Sequence, residues 1–177
     1  MAGSPVTCLQ GNKSGVESMG YGAVAILDYT DVMRETIKRA ANSSEARVRV
    51  RYAETDQMGV VYHANYLVWF EVGRVELIRQ MGMSYKDLER DERCGLAVVE
   101  VTARYKSPAR YDDELAIRTS LKSVRGPLVK FSYQVVRVED ETLLCEGEST
   151  HVVVGKDMKL CAMPERLAQL FADILDR

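Results

Sequence analysis

The residues best suited to chemistry lie together in the run YAETDQMGVVYHANY, from Tyr52 to Tyr66. Glu54 and Asp56 follow an alternating, strand-like stretch, and Gly59 permits a sharp bend. Tyr62, His63, Ala64 and Asn65 then open an apolar helix. The first turn of a helix leaves N–H donors without partners, and its dipole favours negative charge. Such a place suits the oxyanion of an acyl-transfer intermediate. A carboxylate beside it attacks an activated carbonyl or deprotonates a water. The same residues also make an ordinary strand-end turn with solvated acids and a helix-capping histidine. Spacing alone leaves both readings open.

The flanking elements must position this run. Arg47, Arg49 and Arg51 alternate with Val48, Val50 and Tyr52. That period of two predicts a strand with one wet face and one buried face, with Tyr52 on the buried one. Asn65 to Met81 runs without proline to Gly82, a helix stop. Val68, Val72, Val75 and Ile78 join Tyr66, Trp69, Phe70 and Leu77, so the helix is apolar around much of its circumference and is expected to be buried. Ser84 caps a short helix over SYKDLER, with Asp87 three residues on.

Four strands are expected next, over Leu96–Lys106, Glu114–Val124, Leu128–Val138 and Thr142–Val154. Breaks at Ser107-Pro108, Tyr111-Asp112-Asp113, Arg125-Gly126-Pro127 and Glu139-Asp140-Glu141 separate them. Their immediate succession favours an antiparallel meander over crossover units. A last helix is expected over Pro164–Leu175. The fold class is therefore α+β: one strand, a long helix, and a sheet of about five strands wrapped around it. Residues 1–43 differ, being rich in Gly and Ser to Gly22 with a short helix expected over Asp31–Ala41. They read as a flexible N-terminal extension, and 44–177 as the domain.

Composition narrows the function. The chain has 177 residues and a formal net charge of -2, so no bulk electrostatic case for nucleic acid exists. No run of about 18 apolar residues predicts a transmembrane helix, and the start lacks the basic and apolar segments of a secretory signal. The four cysteines show no metal spacing, so no metal site is expected on them. Reduced thiols in a cytoplasmic protein follow, with Cys145 as a small core filler. His151 lies in a strand and reads as structural. Glu54 reads as solvated or structural. Glu71 and Glu76 sit in the apolar helix and need partners there.

The run Y-x-E-T-D-x-M-G-V-V-Y-H-A-N-Y resembles the signature of the 4-hydroxybenzoyl-CoA thioesterase family. It is most similar to the bacterial acyl-CoA thioesterase subgroup associated with the Tol–Pal system. The resemblance covers about residues 46–160 and includes KSPARYDD, Lys106 to Asp113. It implies the hotdog fold, hydrolysis of acyl-CoA to the free acid and coenzyme A, and no cofactor. It also implies subunits that pair into a continuous sheet with active sites at the dimer interface, and dimers that often pair into tetramers. By the resemblance Asp56 is the catalytic carboxylate, as nucleophile or general base. His63 and Tyr52 join it. Asn65 braces the helix start or meets the substrate. Lys106 and Arg110, with Arg125 and Lys130, are candidate contacts for coenzyme A phosphates. Two alternatives belong to other classes: a non-catalytic acyl-CoA or acyl-carrier-protein binding module, and a hydratase of the same fold.

Overall fold

The computed structural model describes residues 43–175. Residues 1–42 of the expected extension, with its helix, lie outside the described residues, while Ser43 opens the first strand. Strand β1 (Ser43–Arg49) leads through a 3-10 turn (Tyr52–Glu54) to helix α1 (Asn65–Gln80). Helix α2 (Tyr85–Asp91) follows, then strands β2 (Cys94–Tyr105), β3 (Glu114–Arg125), β4 (Leu128–Arg137) and β5 (Leu143–Gly155). Helix α3 (Glu165–Leu175) closes the described chain. Gly82 takes φ 87 just beyond α1, the left-handed stop its position predicts. Ser84 caps α2 by accepting from Asp87 N–H at 3.0 Å.

All five strands are antiparallel, in the order β1-β3-β4-β5-β2. The expected four-strand meander is therefore corrected. Strands β3, β4 and β5 do form hairpins, but β2 lies beyond β5 at the far edge. The reason is the connection from Lys106 to Asp113, too long and too proline-bearing for a tight hairpin. It runs along the end of the sheet instead. Lys106 and Ser107 donate their N–H groups to Leu144 O at 2.8 and 3.2 Å, and Arg137 donates to Pro108 O at 2.9 Å. The segment thus passes the ends of β5 and β4 before entering β3.

Helix α1 packs on β1 and β3, with lighter contact on β4. Gly73 allows the approach: a methyl group there would collide with Thr119 Oγ1 and lie 2.8 Å from Ile117 Cγ2. Phe70 stacks on Tyr133 with ring centroids 4.4 Å apart. Leu167, Phe171 and Ile174 of α3 are also buried, with Phe171 edge-on to Phe131, two residues before Tyr133 on β4. The expectation of a helix buried all round is also corrected. Leu67, Val68 and Val72 are exposed, because α1 packs on β1 and β3 through its other face. Val98 and Val101 of the edge strand β2 are exposed as well.

Gly73→Ala is predicted to destabilise the fold by about 2 kcal/mol, because overpacking against Thr119 and Ile117 outweighs the better helix propensity of alanine. Urea denaturation of the purified variant checks this.

Candidate active site

The site begins where β1 ends. Glu54 is buried, and its carboxylate accepts from the Arg51 N–H and the Arg51 guanidinium, each at 2.8 Å. Burial alone would raise this carboxyl, but the Arg51 hydrogen bonds outweigh it and hold it below the usual carboxylate range. The Glu54 carbonyl accepts from Tyr62 N–H at 2.9 Å and from the Asn65 side-chain amide at 2.8 Å. A Thr55–Val61 bridge closes the intervening turn. The turn itself is bonded from Asp56 N–H to Val60 O (2.9 Å) and from Gly59 N–H to Asp56 O (3.0 Å). Gly59 sits at φ 70, a conformation that glycine adopts without strain.

Asp56 is half-buried in this turn. Its Oδ1 accepts from Met58 N–H at 2.8 Å, an Asx turn. Among the described residues Oδ2 has no hydrogen-bond partner, so one oxygen orients the carboxylate and the other is free to react. His63 is exposed and does not cap α1. The N-cap is Ala64, with no side-chain cap, where Ser, Thr, Asp or Asn would be favoured. Asn65, Tyr66 and Leu67 N–H bond back to Tyr62, His63 and Ala64 carbonyls. Among the described residues no backbone acceptor takes the N–H of His63 or of Ala64. These two donors lie at the positive end of α1, in the turn that joins the Val61 bridge to the helix. No hydrogen bond joins Asp56 to His63 among the described residues.

The other expected residues divide. Asn65 braces the helix start against Glu54, as above. Tyr52 corrects the strand reading: β1 ends at Arg49, and Tyr52 lies in the 3-10 turn, 79% exposed. Its ring meets Tyr111 edge-on at 5.8 Å. Arg110 adjoins the Asp56 turn, donating to Gly59 O at 3.4 Å. Lys106 is ion-paired with Glu146 at 2.9 Å. Arg125 closes a 12-residue strand whose other end adjoins Arg110, so it and Lys130 lie far from this turn within one chain, on the order of 35 Å along β3. Glu71 is exposed, and Glu76 pairs with Arg79 on the helix surface.

Several residues that build the site were not singled out in the sequence. Tyr105 donates its hydroxyl to His63 O at 3.0 Å. Tyr66 accepts from Ala109 N–H at 3.0 Å, and Val61 N–H bonds Ala109 O at 2.9 Å. The KSPARYDD segment is thereby tied to both the turn and the helix. The signal was present in an aromatic residue closing β2 next to a proline-containing connection.

Residues 50–171 match the thioesterase-like superfamily. The chain belongs to that superfamily. It is 40% identical over 125 residues to the acyl-CoA thioester hydrolase YbgC of Escherichia coli, covering 70% of this chain and 92% of that one. It is 32% identical over 127 residues to the acyl-CoA thioesterase YbgC of Haemophilus influenzae, covering 70% and 90%. Among solved structures it is similar to the DHNA-CoA thioesterase of Staphylococcus aureus (TM-score 0.72, 26% identity, 76% and 91% covered). A Thermus thermophilus protein is also similar (TM-score 0.70, 32% identity, 75% and 97% covered). The fold is the hotdog fold, with α1 as the helix wrapped by the sheet.

Two buried groups expected to be structural are so. Cys145 is fully buried, and burial pushes its thiol up to about 11, far from a reactive thiolate. His151 is also buried, sharing a 2.7 Å hydrogen bond with Ser149, which in turn bonds Tyr133 at 2.7 Å. Burial, and then the Arg74 guanidinium, push the imidazole down to about 4. The unfolded imidazole titrates near 6.5, so between roughly pH 6.5 and 4 the unfolded chain binds the extra proton and the fold loses stability on acidification. NMR titration is predicted to show no protonation of the His151 ring above pH 5.

Proposed function

We propose that this protein hydrolyses the thioester of an acyl-CoA, releasing the free acid and coenzyme A, with Asp56 as nucleophile or general base. The observation that carries this reading is the junction at the start of α1. A carboxylate with one oxygen oriented and one free lies in a turn closed by the Thr55–Val61 bridge. The chain passes from that bridge into a helix N-terminus with alanine at its cap and two N–H groups without an acceptor among the described residues. A thioester is already activated, so a carboxylate and oxyanion donors are sufficient for its cleavage. His63 and Ala64 N–H receive the developing charge, and the His63 imidazole orients water or substrate. Tyr52, with its exposed ring against Tyr111, lines the approach, while Asn65 holds the helix start. Arg110, exposed beside the turn, takes a coenzyme A phosphate, and Lys106 joins it by exchanging its Glu146 partner.

The resemblance of the Tyr52–Tyr66 run supports placement in the Tol–Pal-associated subgroup. The catalytic domain is taken as residues 44–177, with its first strand reaching back to Ser43. No described helix is long and apolar enough to cross a membrane, and the free thiols of Cys94, Cys145 and Cys161 agree with a cytoplasmic setting. A homodimer fits the open flank. Among the described residues strand β2 is an edge with unpaired backbone groups, and Val98 and Val101 on it are exposed, as are Val68 and Val72 of α1. A second copy pairing along β2 covers all four, and such dimers pair again into a tetramer.

Two experiments test the reading. The wild type is expected to release thiol from at least one member of an acyl-CoA panel, and Asp56→Asn to lower the rate at least about a hundredfold. Acyl-CoA bound but never cleaved would instead mark a binding module. Val98→Lys is expected to move the protein from dimer or tetramer toward monomer in light scattering. A wild type already monomeric would overturn the assembly.

A further inference from the structure

We propose that Tyr105 is a positioning residue of the reaction: its hydroxyl, donating to the His63 carbonyl, fixes the turn that presents the His63 and Ala64 N–H groups to the thioester oxygen. The inference rests on the thioesterase reading above.

The geometry is that of one short turn held from two sides. The Tyr62 carbonyl accepts from Asn65 N–H at 3.0 Å, which fixes the peptide whose N–H belongs to His63. The next peptide carries the His63 carbonyl at one end and the Ala64 N–H at the other. From within the helix only a long bond holds it, Tyr66 N–H to His63 O at 3.4 Å. The Tyr105 hydroxyl, at 3.0 Å, is the shorter bond to that carbonyl. A trans peptide is planar, so a donor on the carbonyl sets where the opposite N–H points. A hydrogen bond accepted by the carbonyl also polarises the amide and strengthens its N–H as a donor.

Tyr105 is itself held in place. It closes β2, its partner across the ladder is Cys145, and its ring lies edge-on to Tyr66 at 5.2 Å and to His63 at 6.4 Å. Burial, with a smaller contribution from Cys145, raises its phenol above the ordinary value, so it remains a donor across the neutral range. The absence of a side-chain cap gives this bond its importance. A Ser or Asp at position 64 would rigidify the first turn from within, by accepting from Tyr66 or Leu67 N–H. With alanine, the turn is held from outside by Tyr105 and Asn65.

The test is steady-state kinetics of Tyr105→Phe beside wild type and Asp56→Asn, on an acyl-CoA that the wild type cleaves. Phenylalanine keeps the ring contacts and removes only the hydroxyl. The expected result is a fall in kcat of about five- to tenfold, the scale of one lost hydrogen bond, with KM within about twofold. Amide hydrogen exchange at Asn65 and Tyr66, whose N–H groups are bonded within this turn, should rise in the same variant while exchange in the sheet is unchanged. Wild-type kcat in Tyr105→Phe, or a rise in KM alone, would overturn the role of Tyr105 and leave the thioesterase reading intact. If the wild type cleaves no acyl-CoA, the functional reading falls, and this inference with it.

Discussion

The Glu54 residue holds the site together. Its buried carboxylate would be costly without partners, and Arg51 supplies both a backbone and a guanidinium donor. Its carbonyl collects Tyr62 N–H and the Asn65 amide. One residue therefore fixes the end of β1, the return strand after the Asp56 turn, and the first residue of α1. The Asp56 carboxylate is aimed by its own turn, but where that turn points relative to the helix is set at Glu54.

The connection from β2 to β3 is the second constraint. Its course past the ends of β5 and β4 brings Ala109 between Val61 and Tyr66, and Tyr105 under His63. The site thus draws on three parts of the chain far apart in sequence. Helix α1 serves two purposes through two faces. Gly73 and the large residues beside it seat the helix on the sheet, and the opposite flank carries exposed Leu67, Val68 and Val72. The first face stabilises the subunit, and the second has the character of an interface.

Much of this was legible in the sequence where the deciding forces are local. The unbroken stretch from Asn65 and the stop at Gly82 gave α1, and Ser84 with Asp87 gave the cap of α2. Alternation gave the strands to within a few residues, and Asp56 and His63 fall at the turn and the helix start that the motif's spacing predicts. What was not legible depends on long-range contact. The order of strands followed from a connection whose bonds go to Leu144 and Arg137, not to its neighbours. Tyr52 continued the strand's alternation on paper, but Glu54 folds its segment into a 3-10 turn and turns the ring outward. Glu54 itself reads as an ordinary acid until its carbonyl and carboxylate partners are seen, and Tyr105 reads as a strand residue until β2 is placed beside the helix start.

The most direct test of the account is a crystal structure of Asp56→Asn with an uncleaved acyl-CoA bound. The account predicts the thioester oxygen within hydrogen-bonding distance of His63 or Ala64 N–H, with the residue 56 side chain beside the carbonyl carbon. A thioester bound away from the start of α1, with those N–H groups unengaged, would contradict it.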